Sequence, residues 1–287
     1  MQNCSGMLIS MDGYDNLIAT LDYFEQRLRS QNPITTVSEL ARHSGYCTHH
    51  LSGLFTAHTD MKLKEYLQAR ILSTIFSHAY SSNTPLNQLA LLYGFHDYET
   101  FYRACKRRFK NTPSNILQSG LDSPYLQQRI YPQRHQDSEA IKGEIIILPE
   151  FTLCGLDFFI WPETRSFHRQ WQQFENYQKA IQGQKNASVT FQFTAWKEGE
   201  EQTMRVLCGL EVNPASPQET IFSRQSIPKT TYIRFLHTQD VSQIRNTYQY
   251  IYGTYFSQSS YQCLGNWELQ RYEDNRTSIE IYIPIRR

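Results

Sequence analysis

One supersecondary unit is written twice in the first half of the chain, and this repetition constrains the fold more than any other feature. Val37, Leu40, Ala41, Gly45 and Tyr46 precede Leu86, Leu89, Ala90, Gly94 and Phe95 by 49 residues, and beyond the turn Leu51 and Leu54 precede Phe101 and Ala104 by 50. Each copy reads as helix, glycine turn, helix, with apolar residues at i, i+3 and i+4 forming one buried stripe. A single match of this kind arises by chance in any αα-hairpin with glycine in its turn. Two in one register, with a one-residue insertion after the turn, state a duplicated helix-turn-helix. Thr36 and Glu39 form a capping box that starts the first copy. Thr84 and Pro85 are the expected cap and first helical residue of the second.

The segments around the two copies complete a helical domain. Asp12 opens a helix striped by Tyr14, Leu17, Ile18, Leu21, Phe24 and Leu28, and Lys62 to Tyr80 forms a long spacer with Leu63, Tyr66, Leu67, Ile71 and Ile75 in register. The final helix carries Arg103, Lys106, Arg107, Arg108 and Lys110, five cations in eight residues. Such a run is most often a solvated face. Set on the second helix of a repeated helix-turn-helix, it suits a groove walled by phosphates. Cys47 is a poor helix cap, so Thr48 is the expected cap of the first reading helix. His49 and His50 diverge on a helix and no partner is suitably spaced, so no metal site is expected.

The segments ELARHSGYCTHHLSGLF, EYLQARIL and LNQLALLYGFHDYETFYRACKRRFKNTPSNIL resemble the two-unit DNA-binding domain of AraC/XylS-family transcriptional regulators. A long second region ending in IEIYIPIRR follows, an order similar to the Rob subgroup, which joins that module to a GyrI-like domain. The resemblance implies base reading by Thr48, His49, Ser52 and Gly53 in the first helix, and by Tyr98, Glu99, Tyr102 and Arg103 in the second. Phosphate contacts fall to Lys106, Arg107, Arg108 and Lys110. Glu99 either accepts from a cytosine amino group or orients Arg103. Rob-like relatives carry tryptophan, glutamine and arginine where this chain has His49, Ser52 and Gly53, which implies weaker readout by the first helix. A spacer setting two reading helices about 34 Å apart lets one monomer enter successive major grooves.

The expected domains are 10–118 for DNA binding, 119–143 as a polar linker, and 144–287 as an effector-binding or interaction domain. In the last, strands and helices recur in order: strands 145–148 and 152–160, helix 165–182, strands 189–196 and 204–212, then strand 230–237, helix 241–256, strands 267–272 and 278–285. The fold class is therefore an all-α double helix-turn-helix domain followed by an α+β domain. Its two β-α-β-β repeats form an antiparallel sheet with helices on one face and an open concave face on the other. This half resembles the GyrI-like fold, whose groove takes amphipathic small molecules. Glu268, Gln270 and Tyr272 alternate onto one sheet face. Drug-binding relatives have a carboxylate where this chain has Gln270, so Glu268 is the alternative anchor. Trp161, Trp171, Phe174, Trp196 and Trp267 are the aromatic candidates for lining the groove.

Net charge of +1 argues against general polyanion binding, and 40% hydrophobic with 19% charged residues is a globular composition. The six cysteines show no C-x-x-C pair, which argues for reduced thiols rather than disulfides or zinc. The first fifteen residues lack basic residues and no apolar run approaches a membrane span, so a cytoplasmic, nucleoid-associated protein without membrane partners is expected. No nucleophile elbow or phosphate loop is present, and neither enzyme activity nor a cofactor is expected. The expected partners are double-stranded DNA, RNA polymerase contacted as an activator, and an amphipathic effector. Two alternatives stand beside this, a second domain serving only protein interaction and a small-molecule hydrolase with a DNA-binding domain.

Overall fold

The computed structural model describes residues 13–82, 84–120, 126–133, 141–160, 167–196, 203–273 and 278–286. The chain divides into two compact units, residues 1–46 with 51–135, and residues 47–50 with 136–287.

The first unit is helical, with α1 Gly13–Arg29, α2 Val37–Ser44, α3 Thr48–Thr59, α4 Leu63–Ser81, α5 Leu86–Leu92, α6 Tyr98–Phe109 and α7 Pro113–Gln118. The repeat seen in the sequence is a repeat of hydrogen bonds. Gly45 and Gly94 both take the left-handed region, at φ +75° and +87°. The next residue in each copy donates back five positions, Tyr46 N–H to Ala41 O at 3.1 Å and Phe95 N–H to Ala90 O at 2.9 Å. Only glycine reaches that φ without strain. At Gly94 a side chain would also meet Thr35 Cγ2 at 2.9 Å.

The caps differ in part from expectation. Thr36 accepts the Glu39 N–H at 3.2 Å, as the capping box requires, while the Glu39 carboxylate faces Arg27 at 4.0 Å. In the second copy Pro85 itself is the cap residue, at φ −59° and ψ 142°, and its carbonyl accepts from Gln88 and Leu89. Thr84 therefore lies one residue too far out to cap, and its Oγ1 pairs with the Ser82 hydroxyl at 2.9 Å. At α3 the cap is Cys47 rather than Thr48: Cys47 Sγ accepts the His50 N–H at 3.4 Å.

One core joins both copies to the spacer. Leu17, Leu21 and Phe24 of α1, Leu40 of α2, Leu51 and Phe55 of α3, Tyr66, Ile75 and Phe76 of α4, Leu89 of α5 and Phe101 of α6 are buried in a single cluster. Burying each such side chain contributes about 1.5–3 kcal/mol. α3 and α6 are thus held in one rigid frame.

The second unit is a nine-stranded antiparallel sheet among the described residues, comprising β1 Glu144–Leu148, β2 Phe151–Ile160, β3 Val189–Trp196, β4 Met204–Val212, β5 Ser223–Ile227, β6 Thr230–His237, β7 Gln262–Cys263, β8 Trp267–Glu273 and β9 Ile279–Arg286. Strands run in the order β1-β6-β9-β8-β3-β4-β2-β5, with β7 on β9. The two β-α-β-β repeats, β2-α8-β3-β4 and β6-α9-β8-β9, meet through β3 and β8 about a pseudo-two-fold axis. Each repeat also lends its leading strand to the other, β1 pairing with β6 and β5 with β2.

The helices are α8 His168–Tyr177, continued by a 3₁₀ turn to Ala180, and α9 Ile244–Tyr250, continued by a π turn Ile251–Tyr255 and a last turn Phe256–Gln258. Both pack on one face of the curled sheet. α8 lies over Leu156, Val206, Cys208 and Leu210, and α9 with its π turn over Ile233, Phe235, Ile281 and Ile283. The opposite face is not open. Curling brings Phe151, Leu153, Phe191, Phe193, Leu207, Tyr232, Leu269 and Tyr282 into a core of their own, which closes the concave side with apolar side chains.

Candidate DNA-reading face and effector site

α6 presents the expected reading residues on an exposed face. Asp97, which the sequence reading passed over, caps the helix by accepting the Thr100 N–H at 2.6 Å. An aspartate three residues before a threonine at a helix start was the available signal. Phe101, Ala104, Cys105 and Phe109 turn inward, which sends Glu99, Arg103 and Lys106 outward along one line. Arg103 Nε lies 3.6 Å from Glu99 Oε1, with side chains 70% and 71% exposed. An ion pair so exposed adds little stability. Tyr98 is exposed and leans on Phe101 with ring centroids 5.7 Å apart, and Tyr102 is half-buried.

The cations divide. Lys106 and Lys110 are exposed, and Lys110 closes the helix in the left-handed region at φ +56°. Arg107 Nη2 donates to Gln68 Oε1 of α4 at 2.9 Å, and Arg108 Nη2 to Gln127 Oε1 at 3.5 Å. In the other copy Thr48, His49, Ser52 and Gly53 occupy the first two turns of α3.

The Asp97 carboxyl is held down to about 2, first by the Thr100 N–H, then by the Thr100 side chain and His96. Because its folded value lies below the ordinary carboxylate value, the cap's contribution is complete above that ordinary value and is lost only as pH falls through about 2. Asp97→Ala is expected to speed amide exchange at Glu99 and Thr100 and to weaken DNA binding, whereas Asp97→Asn, which still caps, keeps both near the parent values.

In the sheet unit, Glu268, Gln270 and Tyr272 share the helix-covered face, opposite Thr194, Gln192 and Thr190. They form a directed relay. Tyr272 Oη donates to Gln270 Oε1, Gln270 Nε2 donates to Tyr248 Oη at 2.6 Å, and Tyr248 Oη donates to Glu268 Oε1 at 2.5 Å. Burial, and then the adjacent Glu268 carboxylate, push the Tyr248 phenol well above its ordinary value, so it stays a donor. From the other helix, Trp171 Nε1 donates to Gln192 Oε1 at 3.2 Å, and its ring meets Tyr272 edge-on at 4.8 Å.

The cluster therefore unites Trp171, Glu268, Gln270 and Tyr272 from among the expected residues. Phe174 is fully buried in the α8 core, Trp196 packs beside that core, and Trp267 packs against the core of the opposite sheet face. Trp161 lies outside the described residues. Tyr248, Gln192 and Thr194 were missed. Their alternation and helical spacing read as ordinary core, and nothing local marks a polar atom aimed at a neighbouring strand.

The comparisons with known proteins follow this division. Residues 40–119 match the helix-turn-helix domain family, and residues 144–285 match the integron-associated effector binding protein family. The multiple antibiotic resistance protein MarA of Escherichia coli K12 is 30% identical over 118 residues, 41% of this chain and 89% of MarA. The chain belongs to the AraC/XylS family of transcriptional regulators. It is a DNA-binding regulator of the AraC/MarA type in the Rob-like arrangement, with a C-terminal GyrI-like effector-binding domain. The transcriptional regulator BrlR of Pseudomonas aeruginosa is 22% identical over 150 residues, half of this chain and 55% of BrlR. Among solved structures, the integron cassette protein VCH_CASS2 of Vibrio cholerae is 15% identical over 51% of this regulator and 97% of its own chain, with a TM-score of 0.39. The EcmrR C-terminal domain is 18% identical over 52% and 99%, with a TM-score of 0.42. No described helix of the regulator is long and apolar enough to cross a membrane. Its five described cysteines are free, and burial pushes the Cys105 and Cys208 thiols up to about 12.

Proposed function

We propose that the regulator is an activator that binds DNA as a monomer, placing α3 and α6 in successive major grooves and contacting RNA polymerase, and that an amphipathic small molecule acts through its sheet domain. The observation that carries the first part is the duplicated glycine turn with its matching five-residue hydrogen bond, built on one continuous core. Two reading helices fixed in one frame need no second subunit to span two turns of a duplex. Thr48, His49 and Ser52 read bases from α3, and Tyr98, Glu99, Tyr102 and Arg103 from α6. Lys106 and Lys110 meet phosphate, with Arg107 and Arg108 joining once they exchange their glutamine partners for it. Arg103→Ala is expected to weaken binding by about 1–3 kcal/mol and to relax one base position. Selection from a random duplex pool, with parent and variant side by side, measures both. A uniform loss over all sequences would reduce Arg103 to a phosphate contact, and a footprint of one turn, or binding only as a dimer, would overturn the monomer.

For the effector, the supporting arrangement is a buried carboxylate among tyrosine and tryptophan side chains, held between two helices that a ligand would part. Such a site favours an amphipathic organic cation. Tetraphenylphosphonium is expected to raise the melting temperature of the parent and not of Glu268→Gln. The relay from Tyr272 ends on Glu268 Oε1 without a ligand, which favours the second reading, a module that serves only protein interaction, whereas the buried Glu268 Oε2 has no hydrogen-bond partner among the described residues, which favours the first. The absence of any shift across cationic, anionic and fatty-acid probes would select it.

A further inference from the structure

The described residues 126–133 fall within the polar stretch expected to be a linker, yet they lie docked in a built groove of the helical unit. The Gln127 N–H donates to Ser73 Oγ at 2.7 Å, and the Gln127 carbonyl accepts from Arg70 Nη1 at 2.7 Å. The Ile130 N–H donates to Tyr66 Oη at 3.3 Å. The Pro132 carbonyl accepts from Tyr14 Oη at 2.8 Å. Gln133 closes the segment on α3, its N–H donating to the His58 carbonyl at 3.1 Å and its own carbonyl accepting from His58 Nδ1 at 2.8 Å.

The groove side of these bonds is interior. Tyr66, Ser73 and His58 are 0%, 2% and 3% exposed. Buried polar atoms deprived of a partner cost about 1–3 kcal/mol each, so this groove calls for an extended backbone. Leu126 enters the helical core, and Ile130 packs against it. Arg129 pairs with Asp22 of α1 and lies over the Tyr131 ring at 4.7 Å.

We infer that residues 126–133 are a working part of the DNA-reading unit, a strap whose docking sets DNA affinity although it contacts no base. The strap begins beside α6, where Gln127 receives Arg108, crosses Ser73, Arg70 and Tyr66 of the spacer, and ends at His58 in the last turn of α3. It therefore ties the two reading helices to each other and to the helix between them. It also lies on the covalent route from the helical unit to the sheet unit.

The test uses the full chain in three forms, the parent, Ser73→Ala and Gln133→Pro. Ser73→Ala removes one acceptor from the groove, and Gln133→Pro removes one donor from the exposed strap. Two quantities are read, the rate of trypsin cleavage after Arg129 and the affinity for a duplex of about two turns that the parent selects from a random pool. Each variant is expected to be cut about tenfold faster, the loss of one such hydrogen bond, and to bind the duplex several-fold more weakly while its helical circular dichroism is kept. Faster cleavage with unchanged affinity would overturn the inference, as would unchanged cleavage in both variants. If Ser73→Ala does not fold, Gln133→Pro decides alone, since its site lies outside the helices.

Discussion

Gly155→Val is expected to leave the sheet unit unfolded while the helical unit still melts as a cooperative body. Gly155 of β2 faces Gly209 of β4 across the ladder. A Cβ on Gly155 would stand 1.9 Å from Cys208 O and 2.5 Å from Gly209 Cα, and one on Gly209 would stand 2.6 Å from Cys154 O. Neither glycine has a positive φ, so what they supply is room for two backbones to close on each other. They lie on the sheet face whose side chains make the concave core, and the close approach lets the sheet curl there. β2 cannot retreat, because β4 pairs on one side and β5 on the other, with Gly155 opposite Ser223. Overpacking against movable side chains costs about 1–3 kcal/mol. Here the obstacle is backbone, and the only relief is to break a ladder. Near-ultraviolet circular dichroism of the tyrosine-rich and tryptophan-rich sheet unit is expected to vanish in Gly155→Val, with loss of the separate sheet transition. A folded sheet unit within about 1 kcal/mol of the parent would show that the strands part without cost.

The parts of this molecule that were legible in its sequence are those set by neighbours along the chain. Gly45 and Gly94 were readable because a helix that must turn within two residues leaves only glycine at the positive φ. The alternation of Glu268, Gln270 and Tyr272 was readable because side chains in a strand have a period of two. Thr84 misled because a proline can stand at the cap as well as inside it, and the choice rests on the ψ that Pro85 takes. β5, with the sequence SRQSI, has no apolar alternation. Among the described residues it is an edge strand paired only with β2, so its pattern says nothing of its pairing. The filled concave face, the role of Tyr248 and the docked strap all depend on which elements meet after folding. A segment such as 126–133 is polar by composition, yet its backbone, not its side chains, makes most of the contacts. Hydrophobic periodicity is blind to that kind of binding.

The same limit hid a buried ion pair of the helical unit, and Arg70→Met is expected to destabilise that unit by about 3–5 kcal/mol. Arg70 grips Glu25 with two bonds, Nε to Oε1 at 2.8 Å and Nη2 to Oε2 at 2.7 Å, and Glu25 is only 4% exposed. Methionine keeps much of the arginine's apolar volume and removes its charge, so the Glu25 carboxylate is left buried with the Tyr66 hydroxyl, 3.3 Å away. Against a domain stability of about 5–15 kcal/mol, that loss lowers the melting temperature by about ten degrees or more. Lysine does not repair it, because an ammonium lacks the planar fork that meets both oxygens. Arg70→Met with Glu25→Leu is expected to recover most of the stability, since no uncompensated charge then remains. The strap separates two uses of the same guanidinium. Arg70 Nη1 also holds the Gln127 carbonyl, a bond that Glu25→Leu does not restore, so the double variant is expected to melt close to the parent and still be cut quickly after Arg129. Recovery of both properties together would mean that the strap follows the stability of the core and has no grip of its own. Recovery of neither would mean that the carboxylate is not the reason the arginine is needed.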